Sequence, residues 1–339
     1  MFTSGGYNSV STIEIYAMKN TRKTIGTLLL AGAAVAASAA SAAYPDRAIE
    51  FVVPFAAGGG LDQNARNMAQ AMGQVLGQTI VVNNRAGAAG TIGLASVARA
   101  TPDGYTLAFT PAVPLSSGPH RLTGVNYNLD SFDYVCQVFD NIFSIAVRGD
   151  SPYKTLQDLL DDAKAKPGTI SYGTSGVGSI PHLGTSNIEH ELGVSLNHIP
   201  YKGDGPMLAD LLSDRLEFGA VLASSITGQI QAGQLRLLAV YSDKRHPSFP
   251  DVPTLTEAGV PVVQLSFGGI LAPAGTPADI LATLESACQK ATTSDAYVEW
   301  AKRANQVVDF KNGEAFRERM KTDSDQQAAT LKRLGLDKQ

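Results

Sequence analysis

The chain has 339 residues, 44% of them hydrophobic and 17% charged, with a formal net charge of −4. That composition supplies a packed core and excludes a disordered chain, and the length fits about two domains. No Lys/Arg-rich run is present, which excludes an electrostatic nucleic-acid binder. Two cysteines without a CxxC exclude zinc ribbons and thioredoxin-like redox motifs.

The first segment reads as a leader. Lys19, Arg22 and Lys23 precede an apolar run from Ile25 to Ala37, and Ala40-Ser41-Ala42 supplies a small-x-small cleavage site. This is the three-part layout of a secretory signal peptide. Beyond Leu30 the run is mostly Ala, Gly and Ser, poor in transfer energy for a membrane anchor, so cleavage near Ala42 or Ala43 is expected. Met18 before Lys19 is a more natural start than Met1. Residues 1–43 are therefore expected to be an extension plus signal peptide, removed to leave a periplasmic protein from Tyr44. An oxidising compartment allows a Cys136–Cys288 bond; two separate buried cysteines fit the sequence equally.

The rest alternates strand and helix. Ile49–Val53 reads as a strand. Leu61–Leu76 reads as a helix, with Ala65, Met68, Ala69, Met72 and Leu76 on one face. Thr79–Val82 and Tyr105–Phe109 are further strands around a small-residue helix, Gly90–Ala98. The pattern restarts after Asp150, with helices over 156–165, 181–192 and 206–212 and strands over 169–172, 196–199, 216–221 and 235–241. Helices return over 277–291 and 313–334. Repeated βα units predict mostly parallel sheets flanked by helices. Two extended stretches, 133–147 and 262–271, fall where the pattern resets. They predict a chain that crosses to a second lobe and returns, with lobe 1 formed by 44–143 and 268–339 and lobe 2 by 144–267. A ligand would then sit between the lobes.

The candidate chemistry lies in loops that end strands and open helices, where open α/β sheets bind ligands. The first is Pro54-Phe55-Ala56-Ala57-Gly58-Gly59-Gly60-Leu61-Asp62. Its glycines let backbone N–H groups approach an anion at a helix start. A dinucleotide GxGxxG fails at Gln63, and no Gly-Lys-Ser/Thr completes a P-loop. A tight turn with Asp62 as a helix-start acid fits the spacing equally well. The second loop is Gly173-Thr174-Ser175-Gly176-Val177-Gly178-Ser179-Ile180-Pro181-His182. It offers neutral hydroxyls, with Pro181 early in the helix. A nucleophile elbow GxSxG would need glycine at Val177, and no acid–histidine pair can be nominated for Ser175. By itself, His182 reads as an ordinary hydrogen-bonded histidine. Arg85 is a bidentate carboxylate partner by chemistry, or equally a tie between loops. Lys202 reads as solvated, and His190 lacks the second histidine of a zincin.

PFAAGGGLD (54–62), NRAGAAGTIG (84–93), ATPDGYTL (100–107), YGTSGVGSIPH (172–182), IPYKG (199–203), PDVPTLTEAG (250–259) and LAPAGTP (271–277) occur in this order from Tyr44 to about Leu336. In sequence and spacing they resemble the Bug-type solute-binding proteins of the tripartite tricarboxylate transporter family. The resemblance implies a two-lobed α/β fold of the periplasmic binding protein type II, a Venus flytrap with two hinge crossings. It implies no catalysis, cofactor or metal. It further implies a small organic carboxylate (mono-, di- or tricarboxylate, possibly aromatic) held by backbone N–H groups, hydroxyls and bridging waters. Carried onto this chain, the contacts are Phe55, Gly58, Gly59 and Asp62 on one side, and Ser175, Gly178, Ser179 and His182 on the other. Thr110 and the Ala223-Ser224 loop line the cleft. The implied partners are that ligand and membrane transporter subunits or a sensor kinase, with the receptor a monomer. The loop Thr110-Pro111-Ala112-Val113-Pro114 is more proline-rich than is usual there, and the loop at Ala223-Ser224 lacks an aspartate often seen in the family. An exported α/β hydrolase using Ser175 is the alternative from a different functional class.

Overall fold

The computed structural model describes residues 44–338; the expected leader and cleavage site lie outside them. A first βαβαβ run comprises β1 (Ile49–Val53), α1 (Gly60–Leu76), β2 (Ile80–Asn84), α2 (Thr91–Ala98) and β3 (Thr106–Pro111). Two short helices, α3 (Val113–Ser116) and α4 (Gly118–Arg121), lead to β4 (Phe132–Asp140). The chain then crosses into β5 (Phe143–Arg148) and α5 (Leu156–Ala165). A second βαβαβ run follows: β6 (Ser171–Thr174), α6 (Ile180–Leu192), β7 (Asn197–Pro200), α7 (Asp204–Leu212) and β8 (Phe218–Leu222). After α8 (Thr227–Gln231) and β9 (Leu235–Val240), the chain returns through β10 (Phe267–Pro273). It ends with α9 (Ala278–Thr292), α10 (Asp295–Arg303), β11 (Val307–Asn312) and α11 (Gly313–Arg333).

The two sheets share one plan. The first has the order β11-β4-β10-β3-β1-β2, the second β7-β6-β8-β5-β9. Each βαβαβ run lays down its strands in parallel, with its first strand between the other two. Each sheet then accepts a strand next to a crossing, β10 in one and β5 in the other, and both pair antiparallel with their neighbours. The expectation of mostly parallel sheets is corrected here: both are mixed. The βα periodicity correctly reads the parallel runs. The antiparallel pairs arise where the chain leaves along β4 and comes back along β10, in opposite directions. The two crossings are joined by a backbone hydrogen bond from the Asn141 N–H to the Ser266 carbonyl, 2.6 Å.

Packing follows the apolar periods. Val52, Leu94, Ala108, Phe132, Leu271, Phe316 and Met320 form a core in the first lobe. Ile145, Leu156, Leu159, Leu160, Tyr172, Phe218 and Leu238 form one in the second. α5 starts where Thr155 and Asp158 exchange side-chain and backbone hydrogen bonds, a capping box. Cys136 on β4 and Cys288 on α9 are disulfide-bonded, which resolves the alternatives open in the sequence. α10, β11 and the short helices α3 and α4 are not anticipated by the sequence. β11 is a half-buried edge strand carrying Asp309 and Lys311, so it lacks an apolar run. α3 and α4 are too short for a helical period to register.

α11, at the end of the first lobe, also touches the second. Asn187 on α6 accepts hydrogen bonds from Thr330 Oγ1 (3.0 Å) and Arg333 Nη2 (2.6 Å). Among the described residues, no helix is long and apolar enough to cross a membrane.

Candidate functional site

The two loops singled out above occupy equivalent positions. One joins β1 to α1, the other β6 to α6, and each lies at the carboxyl end of the first strand of its run. Their local geometry follows one pattern. Gly58 and Gly178 both adopt left-handed backbone, with φ of +86° and +73°. The next residues, Gly59 and Ser179, are the N-caps, and neither makes a side-chain cap. In each loop the side chain of the third helical residue reaches back to the glycine before the cap. Asp62 Oδ2 accepts the Gly58 N–H at 2.9 Å, and His182 Nδ1 accepts the Gly178 N–H at 3.0 Å. A capping box binds the N-cap N–H; this tie lies one residue earlier and leaves the helix-start amides without intrahelical acceptors.

The two ties differ in charge. Asp62 is buried and also accepts from Arg66 Nε at 3.0 Å. That hydrogen bond, helped by the Gly58 N–H, holds its carboxyl below the usual range despite the opposing cost of burial. Its second oxygen, Oδ1, is buried without a partner. His182 is a buried, neutral acceptor whose pKa is lowered by desolvation. Its ring stacks on His198 at 4.1 Å between centroids. His198 Nε2 meets Thr174 Oγ1 at 2.8 Å, and burial together with His182 pushes its pKa down to about 4.

The remaining candidates divide. Phe55 stands at the loop surface, and a Cβ on Gly90 would lie 3.3 Å from its ring, so the ring packs on the turn before α2. Ser175 is partly exposed, while Ser179 Oγ is buried without a partner. Thr110 is fully buried at the end of β3, its hydroxyl donating to the Pro111 carbonyl at 2.9 Å. Ala223 is fully buried, and its N–H donates to the Ile142 carbonyl at the crossing; Ser224 follows it, partly exposed. Arg85 is occupied, its Nη2 2.8 Å from Glu50 Oε1, so it ties the end of β2 to strand β1. Lys202 is exposed.

Sequence reasoning passes over two residues. His198 belongs to no site motif, although it directly precedes IPYKG. Arg121 closes α4 in the first lobe, yet its Nη1 lies 3.4 Å from both the Val177 and Gly178 carbonyls of the second loop. A cavity of about 490 Å³ lies elsewhere, at the crossings, where Asp140, Ile142, Ser242, Lys244, Leu265 and Arg319 contribute to its lining. None of the predicted site residues lines it.

Among the described residues, no hydrogen bond joins the Ser175 hydroxyl to His182 or His198. His182 and His198 are engaged by Gly178 and Thr174. Among the described residues, no group of His, Cys, Asp and Glu is arranged to hold a metal ion.

Comparison with known proteins agrees with this architecture. The model of the tripartite tricarboxylate transporter family receptor, TctC, matches residues 64–336. Protein BugT of Bordetella pertussis is 34% identical over 284 residues, 80% of this chain and 84% of that one. The crystal structure of a TctC solute-binding protein from Polaromonas superposes with a TM-score of 0.79 at 31% identity, covering 86% of this chain and 99% of the other. An R. palustris protein solved with adipate gives 0.71 at 28% identity, covering 86% and 98%. MatC from Rhodopseudomonas palustris, with bound malate, gives 0.68 at 25% identity, covering 85% and 100%. The two mixed sheets, the paired helix-start loops and these matches lead to one conclusion: the chain belongs to the TctC receptor family of the tripartite tricarboxylate transporters, Bug-type solute-binding proteins that are receptors and not enzymes.

Proposed function

We propose that this protein is a periplasmic receptor that captures a small organic carboxylate between its lobes and presents it to membrane transporter subunits, or to a sensor kinase. The observation that carries this reading is the matched pair of helix starts, each held open by a tie from Asp62 or His182. A carboxylate needs several donors if it is to leave water, and an isolated buried anion would cost many kcal/mol. Uncapped helix amides supply donors and a favourable partial charge without any net positive charge on the protein. In this reading Phe55, Gly58, Gly59 and Asp62 shape the first cradle. Ser175, Gly178, Ser179 and His182 shape the second. Thr110, Ala223 and Ser224 contribute the walls, Thr110 and Ala223 being fully buried in this structure. Adipate and malate in the two related structures support an organic acid as the ligand class.

The test is a thermal-shift and calorimetry panel of mono-, di- and tricarboxylates on ligand-stripped protein, with neutral amides of the same skeletons as controls. At least one acid is expected to raise the melting temperature in a concentration-dependent way, and its amide is not. Silence from every acid overturns the reading.

A further inference from the structure

We propose that Arg121 is the charged receptor for a second anionic group on the ligand, so that this cleft prefers a diacid to a monoacid. This rests on the carboxylate reading above and assigns the far end of the same ligand.

Arg121 is an under-satisfied cation. It comes from the first lobe but stands against the second-lobe loop, where its Nη1 makes only two long contacts, 3.4 Å each, to the Val177 and Gly178 carbonyls. Its Nε is buried and has no partner. Other arginines of the chain are differently placed: Arg66, Arg85, Arg148 and Arg319 all meet carboxylates at about 3 Å, a normal charge-assisted distance. Among the described residues, no carboxylate pairs with Arg121. A guanidinium stays charged at any physiological pH, so its unmet donors call for an anion such as a carboxylate.

The sequence makes room for it. A Cβ on residue 178 would fall 2.6 Å from Arg121 Nη1, so the glycine that sets the left-handed turn also admits the guanidinium. Each lobe also carries an unpartnered hydroxyl close in sequence to the contact. Ser179 Oγ follows Gly178 in the second lobe, and Ser117 Oγ precedes α4 in the first; both are buried. The helix-start amides already provide neutral donors for one acid group. Arg121 adds a full charge that a monoacid held there leaves unused.

The experiment measures binding of the linear diacids from malonate to suberate, and of the monoacids of the same chain lengths, to wild type, Arg121→Gln and Arg121→Lys. Wild type is expected to prefer a diacid of one favoured length over its matched monoacid. Arg121→Gln is expected to lose about tenfold or more for that diacid and little for the monoacid, as for removal of a charge-assisted hydrogen bond. Arg121→Lys is expected to retain part of the preference. Unliganded unfolding midpoints show whether each variant is folded, and the wild-type diacid-to-monoacid ratio tests the proposal without any variant. Equal losses for both acid classes in Arg121→Gln would make the residue a strut between lobes and overturn the proposal while leaving the carboxylate reading intact. Wild-type binding without diacid preference overturns it in the same way. No binding of any acid by wild type overturns both.

Discussion

The loops that open α1 and α6 solve the same problem with different chemistry. Both hold a left-handed glycine by a side chain four residues on, and both leave the helix start uncapped. The first uses a buried carboxylate, braced by Arg66, and gains three helix-start amides from Gly60, Leu61 and Asp62. The second uses a neutral imidazole, and Pro181 removes one amide from its helix start, leaving hydroxyls to make up the number. The comparison teaches that the tie, rather than the identity of the tying residue, maintains the cradle. On the proposed reading, the first half binds mainly through backbone, the second through side chains.

The largest expected difference between the lobes is in stability. Only the first carries a disulfide among the described residues, and it joins positions 152 apart. The double variant Cys136→Ala/Cys288→Ala should lose about 2–5 kcal/mol in denaturant unfolding. A first lobe unaffected by the loss would show that its sheet pairing alone suffices.

Next come the hydroxyls. Ser179→Ala and Ser175→Ala should each weaken ligand binding by about 0.5–3 kcal/mol, the cost of an unpaired buried group in the complex. Calorimetry on the double variant decides this; near-native affinity would remove the second loop from the site.

Acid should break the two ties in order. The His182 pKa is lowered by burial, so the folded state binds fewer protons than the unfolded one between that lowered value and about 6.5. Its contribution is present above about pH 6.5 and is lost as pH falls through that window. His198, near 4 when folded, acts in the same direction. Asp62 is an acid rather than a base, but its lowered pKa acts with the same sign. Its contribution is present above about pH 4 and lost only as pH falls through its lowered folded value. Melting temperature against pH should therefore show two limbs. His182→Asn, which keeps an acceptor that does not titrate, should make the upper limb shallower, with His198 and His246, both near 4 when folded, carrying the rest. Asp62→Asn should flatten the lower one and cost less affinity than either serine variant; an Asp62→Asn protein of normal stability that no longer binds would reassign that residue to the ligand.

The smallest effect expected is at Gly58. Its φ penalises any Cβ, but nothing stands within 4 Å, so Gly58→Ala should cost about 1 kcal/mol of stability. Gly178→Ala carries the same backbone penalty and also displaces Arg121. Its additional loss should appear in diacid binding.

Much of this was legible in the sequence because each feature had a local cause. The βα periods mark both parallel runs, and the glycines and helix-start polar residues mark both loops. The antiparallel strands were less legible, since β4 and β10 read only as extended stretches and their direction depends on where the chain turns between lobes. Asp62 was readable as a helix-start acid, but its hold on Gly58 was not, because the sequence does not specify the backbone turn that brings them together. His182 was readable only as a hydrogen-bonded histidine, its partner hidden for the same reason. Arg121 gave no local signal at all. Its meaning comes from a neighbour 57 positions away, brought close by the crossing of the chain.

That crossing has one more consequence. The second lobe enters and leaves at two points joined by the Asn141–Ser266 backbone hydrogen bond, so it is an insert with adjacent ends. A chimaera spliced at those residues would graft one half of a relative's binding surface onto this protein while leaving the β4–β10 pairing intact. On the proposed reading, ligand preference is thus open to exchange by halves, with Arg121 staying behind in the host.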